Sequence, residues 1–213
     1  FFFWIRRPPR FTLVPYTTLC RSNIAADAPA ELQPDLAATL DEINRLSRLA
    51  DGLLAVARAE DQETTPEAVQ VDSVIADRIA LWRSVGDERS IDLVDQSRSV
   101  VAMISAGHLE QILDNLLANA IEVAPTNSAI EVTADRDKHN VVVTVVDHGP
   151  GLAPQARELA FRRFSGLGDR GSRSAGLGLA IVGSLAKANH GSAHLDETPG
   201  GGLTVVLSLP AAD

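Results

Sequence analysis

A single cysteine, Cys20, in a chain of 213 residues leaves no partner for an internal disulfide and no thiolate cage for a metal. Aromatic residues are scarce, at 4%, so a core has to be built from Leu, Val, Ile and Ala. No apolar run approaches the roughly 20 residues that cross a bilayer: the stretch from Phe1 to Ile5 is far too short, and no leader-cleavage pattern follows it. Positive charge is deficient as well. With 19 Lys and Arg against 28 Asp and Glu, the net charge of -9 excludes a broad nucleic-acid surface, which needs clustered cations against phosphate. What is present, 45% hydrophobic and 22% charged residues, suits one medium globular domain with an appendage.

The first 22 residues differ from the remainder. They hold four of the six Phe, one of the two Trp, the only Tyr and the only Cys, and four Arg with no acid. Residues 1–30 are therefore expected to be an atypical segment, disordered or artefactual, in preference to the stump of a transmembrane helix with a basic flank. After Pro34, Leu36, Ile43, Leu46, Ala50, Leu53 and Ala57 recur at heptad-like steps among charged residues, which predicts a long helix within residues 31–62. Such a narrow stripe needs a partner helix, because a lone helix cannot bury a seam on itself.

Beyond the linker 61–66 the pattern alternates. Helices are expected over 71–83, 106–123, 154–160 and 177–189. Strands are expected over 90–95, 100–104, 130–134, 141–146, 193–195 and 203–209, with a polar turn over 135–140 and a Gly, Ser and Arg loop over 165–175. The fold class read from this order is α/β: a two-layer α+β sandwich over residues 66–210, with helices on one face of a mixed, largely antiparallel sheet.

Three blocks stand out. In DNLLANAIEVAP, Asp114 to Pro125, Asn115 and Asn119 lie one helical turn apart, so their amides share a face and can offer neutral oxygens to magnesium. In VVDHGPGL, Val145 to Leu152, a β-branched run ends at Asp147 in a turn that Gly149 and Gly151 permit. In GLGLAIV, Gly176 to Val182, a glycine turn opens a helix whose free N–H groups and dipole attract phosphate.

In this order the blocks resemble the catalytic ATP-binding domain of bacterial two-component sensor histidine kinases, a branch of the superfamily that also holds DNA gyrase and heat-shock chaperone ATPases. The stretch RLSRLADGLLAVARAED, Arg45 to Asp61, resembles the second helix of the same kinases' dimerisation and phosphotransfer hairpin. The resemblance implies ATP and Mg2+ as ligands, with Asn119 and its partner Asn115 on the metal. It implies that Asp147 accepts a hydrogen bond from the adenine amino group and that Gly149 and Gly151 form the turn beneath the base. Phe161-Arg162-Arg163-Phe164 is similar to the family's phenylalanine box, with Arg162 and Arg163 near phosphate. Gly176, Leu177, Gly178 and Leu179 match the phosphate-facing glycine turn, and Thr204 matches a threonine near adenine.

The same resemblance implies a γ-phosphoryl transfer to a histidine, relayed to an aspartate on a response-regulator receiver domain. It also implies a homodimer through the hairpin helices and a place as the cytoplasmic portion of an inner-membrane sensor. Two departures qualify it. Glu122 stands where many members have Lys or Arg three residues after the metal asparagine, and is expected to face solvent. None of the five histidines is followed by the family's acid and Arg-Thr-Pro run, so no catalytic residue is assigned and the chain is expected to be incomplete and unable to phosphorylate itself. The competing readings are a related ATPase, an anti-sigma-factor-type serine kinase, and a non-catalytic dimerising nucleotide-binding module.

Overall fold

The structure, a computed structural model, describes residues 65–161 and 178–212. The atypical segment 1–30, the helix expected within 31–62 and the loop 165–175 lie outside the described residues, as do Arg162, Arg163, Gly176 and Leu177.

The described elements run β1 (Glu67–Gln70), α1 (Val71–Glu88), β2 (Asp92–Asp95), β3 (Val101–Ile104), α2 (His108–Val123), β4 (Ala129–Asp137), β5 (Asn140–Val146), α3 (Pro154–Leu159), α4 (Gly178–Ala188), β6 (Ser192–Glu197) and β7 (Leu203–Pro210). Five strands form one sheet in the order β2-β4-β5-β7-β6. Only the β2–β4 pairing is parallel; β4–β5, β5–β7 and β6–β7 are antiparallel.

One face of this sheet is apolar because β-branched residues alternate along it. Ile130, Val132 and Ala134 on β4, Val141, Val143 and Val145 on β5, and Val205, Leu207 and Leu209 on β7 are buried. Helices α1, α2 and α4 cover that face, and α2 supplies Leu109, Ile112, Leu113, Leu116, Leu117, Ala120 and Ile121 at three- and four-residue spacing. Gly107, at φ +80, starts α2, two residues later than the sequence suggests. Pro125 ends it by holding Ala124 in an extended conformation.

The fold class is the predicted one, with local corrections. Strand β1 was not expected, and it pairs with β3 as a separate antiparallel two-stranded sheet. Helix α1 runs five residues past Arg83. The polar turn shrinks to Lys138 and His139, because the β4 and β5 ladder continues to the pair Asp137 and Asn140; backbone pairing is indifferent to the exposed charges of residues 135–137.

Candidate functional site

The last two turns of α2 are where the three sequence blocks meet. Asn119 lies against the first residue of α4: a Cβ on Gly178 would stand 2.8 Å from Asn119 Nδ2 and 3.1 Å from Oδ1. One turn further, a Cβ on Gly149 would stand 2.9 Å from the Val123 carbonyl oxygen. The asparagine helix therefore touches the glycine turn of one block and the helix start of another at points about 6 Å apart along its axis.

Asn115 faces the same way one turn earlier. Its Nδ2 donates to the Gln111 carbonyl at 2.8 Å, and since that oxygen can only accept, the Asn115 Oδ1 is directed to the other side. Glu122 lies seven residues after Asn115 on the same stripe of the helix and is partly buried.

Asp147, at the end of β5, is 4% exposed. Its Oδ1 accepts from Gly149 N at 2.8 Å and Leu203 N at 3.3 Å, and its own N–H donates to the Leu203 carbonyl at 3.0 Å. Oδ2 makes no hydrogen bond among the described residues. Burial raises the Asp147 carboxyl above its ordinary pKa, against the two backbone donors and the nearby His148.

The turn beneath this carboxylate closes on a second run of glycines. Gly202, at φ +122, passes so close to the Asp147 carbonyl that a Cβ could not be placed there, and a Cβ on Gly151, at φ +67, would stand 2.7 Å from the Gly202 oxygen. Thr204 follows on β7 opposite Val146, with its hydroxyl 2.9 Å from that of the buried Thr198. Gly202 and Thr198 were missed by sequence reasoning, because the run Gly200-Gly201-Gly202 does not show what it packs against.

The segment after α3 is anchored. Phe161 packs on Gly183 of α4, where a Cβ would meet its ring at 3.2 Å. Arg157 donates to the Leu152 carbonyl at 2.9 Å and to Glu197 at 3.0 Å, tying the exit of the glycine turn to β6. Leu179 is partly buried against the core.

The histidines are dispersed. His108 opens α2, His139 lies in the β4–β5 turn, His148 sits 3.6 Å from Glu131, His190 precedes β6 and His194 lies within it. A surface depression of about 360 Å³ lined by Asp87, Ser90, Ile91, Asp92, Asn127 and Ser128 contains none of the predicted site residues. Among the described residues no cluster of three or more His, Cys, Asp or Glu could hold a metal, and no helix is long and apolar enough to cross a membrane.

Residues 105–213, which contain α2, the Asp147 turn and the start of α4, match the family model described as histidine kinase-, DNA gyrase B-, and HSP90-like ATPase. The chain belongs to that ATPase family. Within it the sensor histidine kinases are the similar proteins. A probable sensor histidine kinase of Mycobacterium tuberculosis is 35% identical over 212 residues, covering 96% of this chain and 55% of its own length. The solved mycobacterial sensor histidine kinase MprB is 26% identical with a TM-score of 0.60, covering 68% of this chain and 97% of that one. Full-length ShkA, solved in complex with AMPPNP, is 26% identical with a TM-score of 0.69, covering 94% of this chain and 45% of that one. The chain spans about half the length of the first of these relatives. The resemblance to the catalytic ATP-binding domain of sensor histidine kinases thus holds for this ATPase-family domain.

Proposed function

We propose that this chain is the nucleotide-presenting catalytic portion of a sensor histidine kinase: it binds ATP with Mg2+ and delivers the γ-phosphoryl group to a histidine on a hairpin helix. The observation that carries this reading is the convergence on α2 of an inward carboxylate turn at Asp147 and the Asn119–Gly178 contact. A nucleotide with its metal fits the residues present. Oδ2 of Asp147 is left for a donor such as the adenine amino group, where guanine would present a carbonyl. Residues Gly149 and Gly151 keep the turn beneath it free of side chains. Asn115 and Asn119 offer amide oxygens to magnesium, which takes few protein oxygens and shares its shell with phosphates and water.

Bound ATP would supply the phosphoryl group. The backbone of Gly176, Leu177, Gly178 and Leu179 would face the phosphates, Arg162 and Arg163 would neutralise charge on the transferred oxygens, and Thr204 would border the adenine. The solved complex of ShkA with AMPPNP supports the nucleotide assignment by similarity. In the intact protein the acceptor imidazole nitrogen bonds to phosphorus as the bond to the β-bridging oxygen breaks, ADP leaves, and a neighbouring carboxylate takes the imidazole proton. The phosphoryl group then passes to a response-regulator aspartate, in a homodimer whose membrane-bound part holds the sensor.

The test titrates the 213-residue chain with ATP and MgCl2, then adds a separate helical hairpin bearing an acceptor histidine. Magnesium-dependent binding followed by acid-labile phosphate on the hairpin is expected. Acid-stable phosphoserine, or no binding of ATP, would overturn the reading.

A further inference from the structure

The glycine turn that follows Asp147 is held at its entrance, its middle and its exit. At the entrance Gly149 N donates to Asp147 Oδ1 at 2.8 Å, and in the middle Gly151, at φ +67, lies so near the Gly202 oxygen that a Cβ would stand 2.7 Å from it. Both of those positions ask only for glycine. At the exit the Leu152 carbonyl accepts from Arg157 Nε at 2.9 Å, while Arg157 Nη2 donates to Glu197 Oε2 at 3.0 Å. Arg157 comes from α3 and Glu197 from the end of β6, beside the buried Thr198 whose N–H reaches the Gly202 carbonyl at 3.4 Å. The exit of the turn is therefore tied to the same β6–β7 turn that its middle packs on.

We infer that Arg157 is a positioning residue for the nucleobase: steered by Glu197, it fixes the Leu152 carbonyl and so holds the Gly149–Leu152 turn in the shape that aims the Asp147 carboxylate. The inference rests on the nucleotide reading above. Two glycines within four residues make the turn easy to bend, and a turn that must be ordered when a ligand arrives weakens binding by the entropy of ordering it. Arg157 removes that cost beforehand. Its planar guanidinium sends Nε to the carbonyl and Nη2 to the carboxylate at once, whereas the single nitrogen of a Lys has no such fork. The two contacts are unequal, because the Arg157 side chain is 18% exposed and that of Glu197 72%. A charged donor on a carbonyl in a packed setting outweighs an ion pair whose acid stands in water. Arg157 therefore carries the effect and Glu197 trims it.

The experiment measures the affinity of the 213-residue chain for ATP and for inorganic tripolyphosphate, both in excess MgCl2, by titration calorimetry. It repeats both for Arg157→Met, Arg157→Lys and Glu197→Gln, after circular dichroism confirms that each variant is folded. Tripolyphosphate has the phosphates and the metal but no base, so a residue that positions the base leaves its affinity alone, while a general loosening of the domain weakens both ligands together. In Arg157→Met, ATP is expected to bind about tenfold more weakly. Tripolyphosphate should change by less than about twofold. Arg157→Lys should fall between Arg157→Met and the wild type, and Glu197→Gln should weaken ATP by about threefold or less, again without moving tripolyphosphate. Equal losses for the two ligands, or ATP affinity unchanged in Arg157→Met, overturn the positioning role while leaving the nucleotide site intact. Absence of ATP binding by the wild-type chain overturns the nucleotide reading and this inference with it.

Discussion

At the scale of single residues, Asp147 separates what the fold needs from what a ligand needs. Its folded pKa is raised above the unfolded value of 3.8 by burial, so between those two values the folded chain holds more protons and stability falls as pH rises through the window. At neutral pH the buried charge is therefore a standing cost to the fold. An amide oxygen can accept from Gly149 N and Leu203 N as the carboxylate does, so Asp147→Asn should be as stable as the wild type or more so by urea unfolding at pH 7. Its ATP affinity should fall by about ten- to a hundredfold, the worth of a hydrogen bond to a charged group. Equal ATP affinity by calorimetry would show that this carboxylate does not read the base. Asp114, one residue before Asn115, has the same direction of shift from burial. Its oxygens, however, are engaged by Trp82 Nε1 at 2.8 Å and Arg78 Nη1 at 3.6 Å, so its work is to join α1 to α2. Both acids were equally visible in the sequence. Asp147 was legible as a site residue because a strand-end acid followed by Gly149 and Gly151 has a local signature. Gly202 beneath it had none, since its constraint comes from a carbonyl 55 positions earlier in the chain.

Between elements, the contact of α2 with α4 gives two predictions with opposite signs. Gly178 begins α4, where alanine is at least as good a helix former, worth up to about 1 kcal/mol. Its Cβ would displace only the Asn119 amide, the end of a movable side chain. Gly178→Ala should thus leave the thermal midpoint unchanged or higher, while magnesium-dependent ATP binding weakens by about tenfold, about 1.4 kcal/mol, because the displaced amide is a proposed metal ligand. The far end of the same helix pair is held by Asn189, fully buried, whose Oδ1 accepts from Ser105 N at 2.8 Å and whose Nδ2 meets the Leu185 carbonyl at 2.7 Å and His108 Nδ1 at 2.9 Å. An imidazolium could keep that contact only if the amide turned over and abandoned Ser105 and Leu185. Burial lowers the His108 pKa below its ordinary 6.5, with the Glu110 carboxylate acting the other way. The unfolded chain then takes up the proton more readily, so the contribution of this group is complete above pH 6.5 and is lost as pH falls from 6.5 toward the lowered folded value. Urea midpoints between pH 5 and 8 should therefore fall more steeply on acidification for the wild type than for His108→Gln; parallel curves would remove His108 from the acid response. The helices themselves were legible from their apolar spacing, but this link was not, because a buried Asn and a helix-opening His 81 positions apart carry no shared local pattern.

For the whole molecule, the sheet order brings the separate blocks to one helix: β5 and β7 lie side by side, so Asp147 and Thr204 emerge together, and α2 and α4 cross the same sheet face. Alternating β-branched residues announced β4, β5 and β7, whereas the four residues of β1 lacked that alternation, and its pairing with β3 in a second sheet is a tertiary choice that propensity does not encode. Because the proposed ligand bridges the Asp147 turn, α2 and the start of α4, its binding should stabilise the domain as one body. A ligand that binds only the folded state at a hundred times its Kd adds about 2.7 kcal/mol, which for a domain of this size raises the midpoint by roughly 5–10 °C. Thermal scans with ATP and MgCl2 should show that rise in the wild-type chain. Asn119→Ala keeps the buried face of α2 and replaces a weaker helix former, so its ligand-free midpoint should match or exceed the wild type, yet the rise with ATP should shrink to about 2 °C or less. A full rise in Asn119→Ala would place the nucleotide away from the asparagine helix. A wild-type midpoint indifferent to ATP at any magnesium concentration would leave the ATPase-family fold without nucleotide binding of its own.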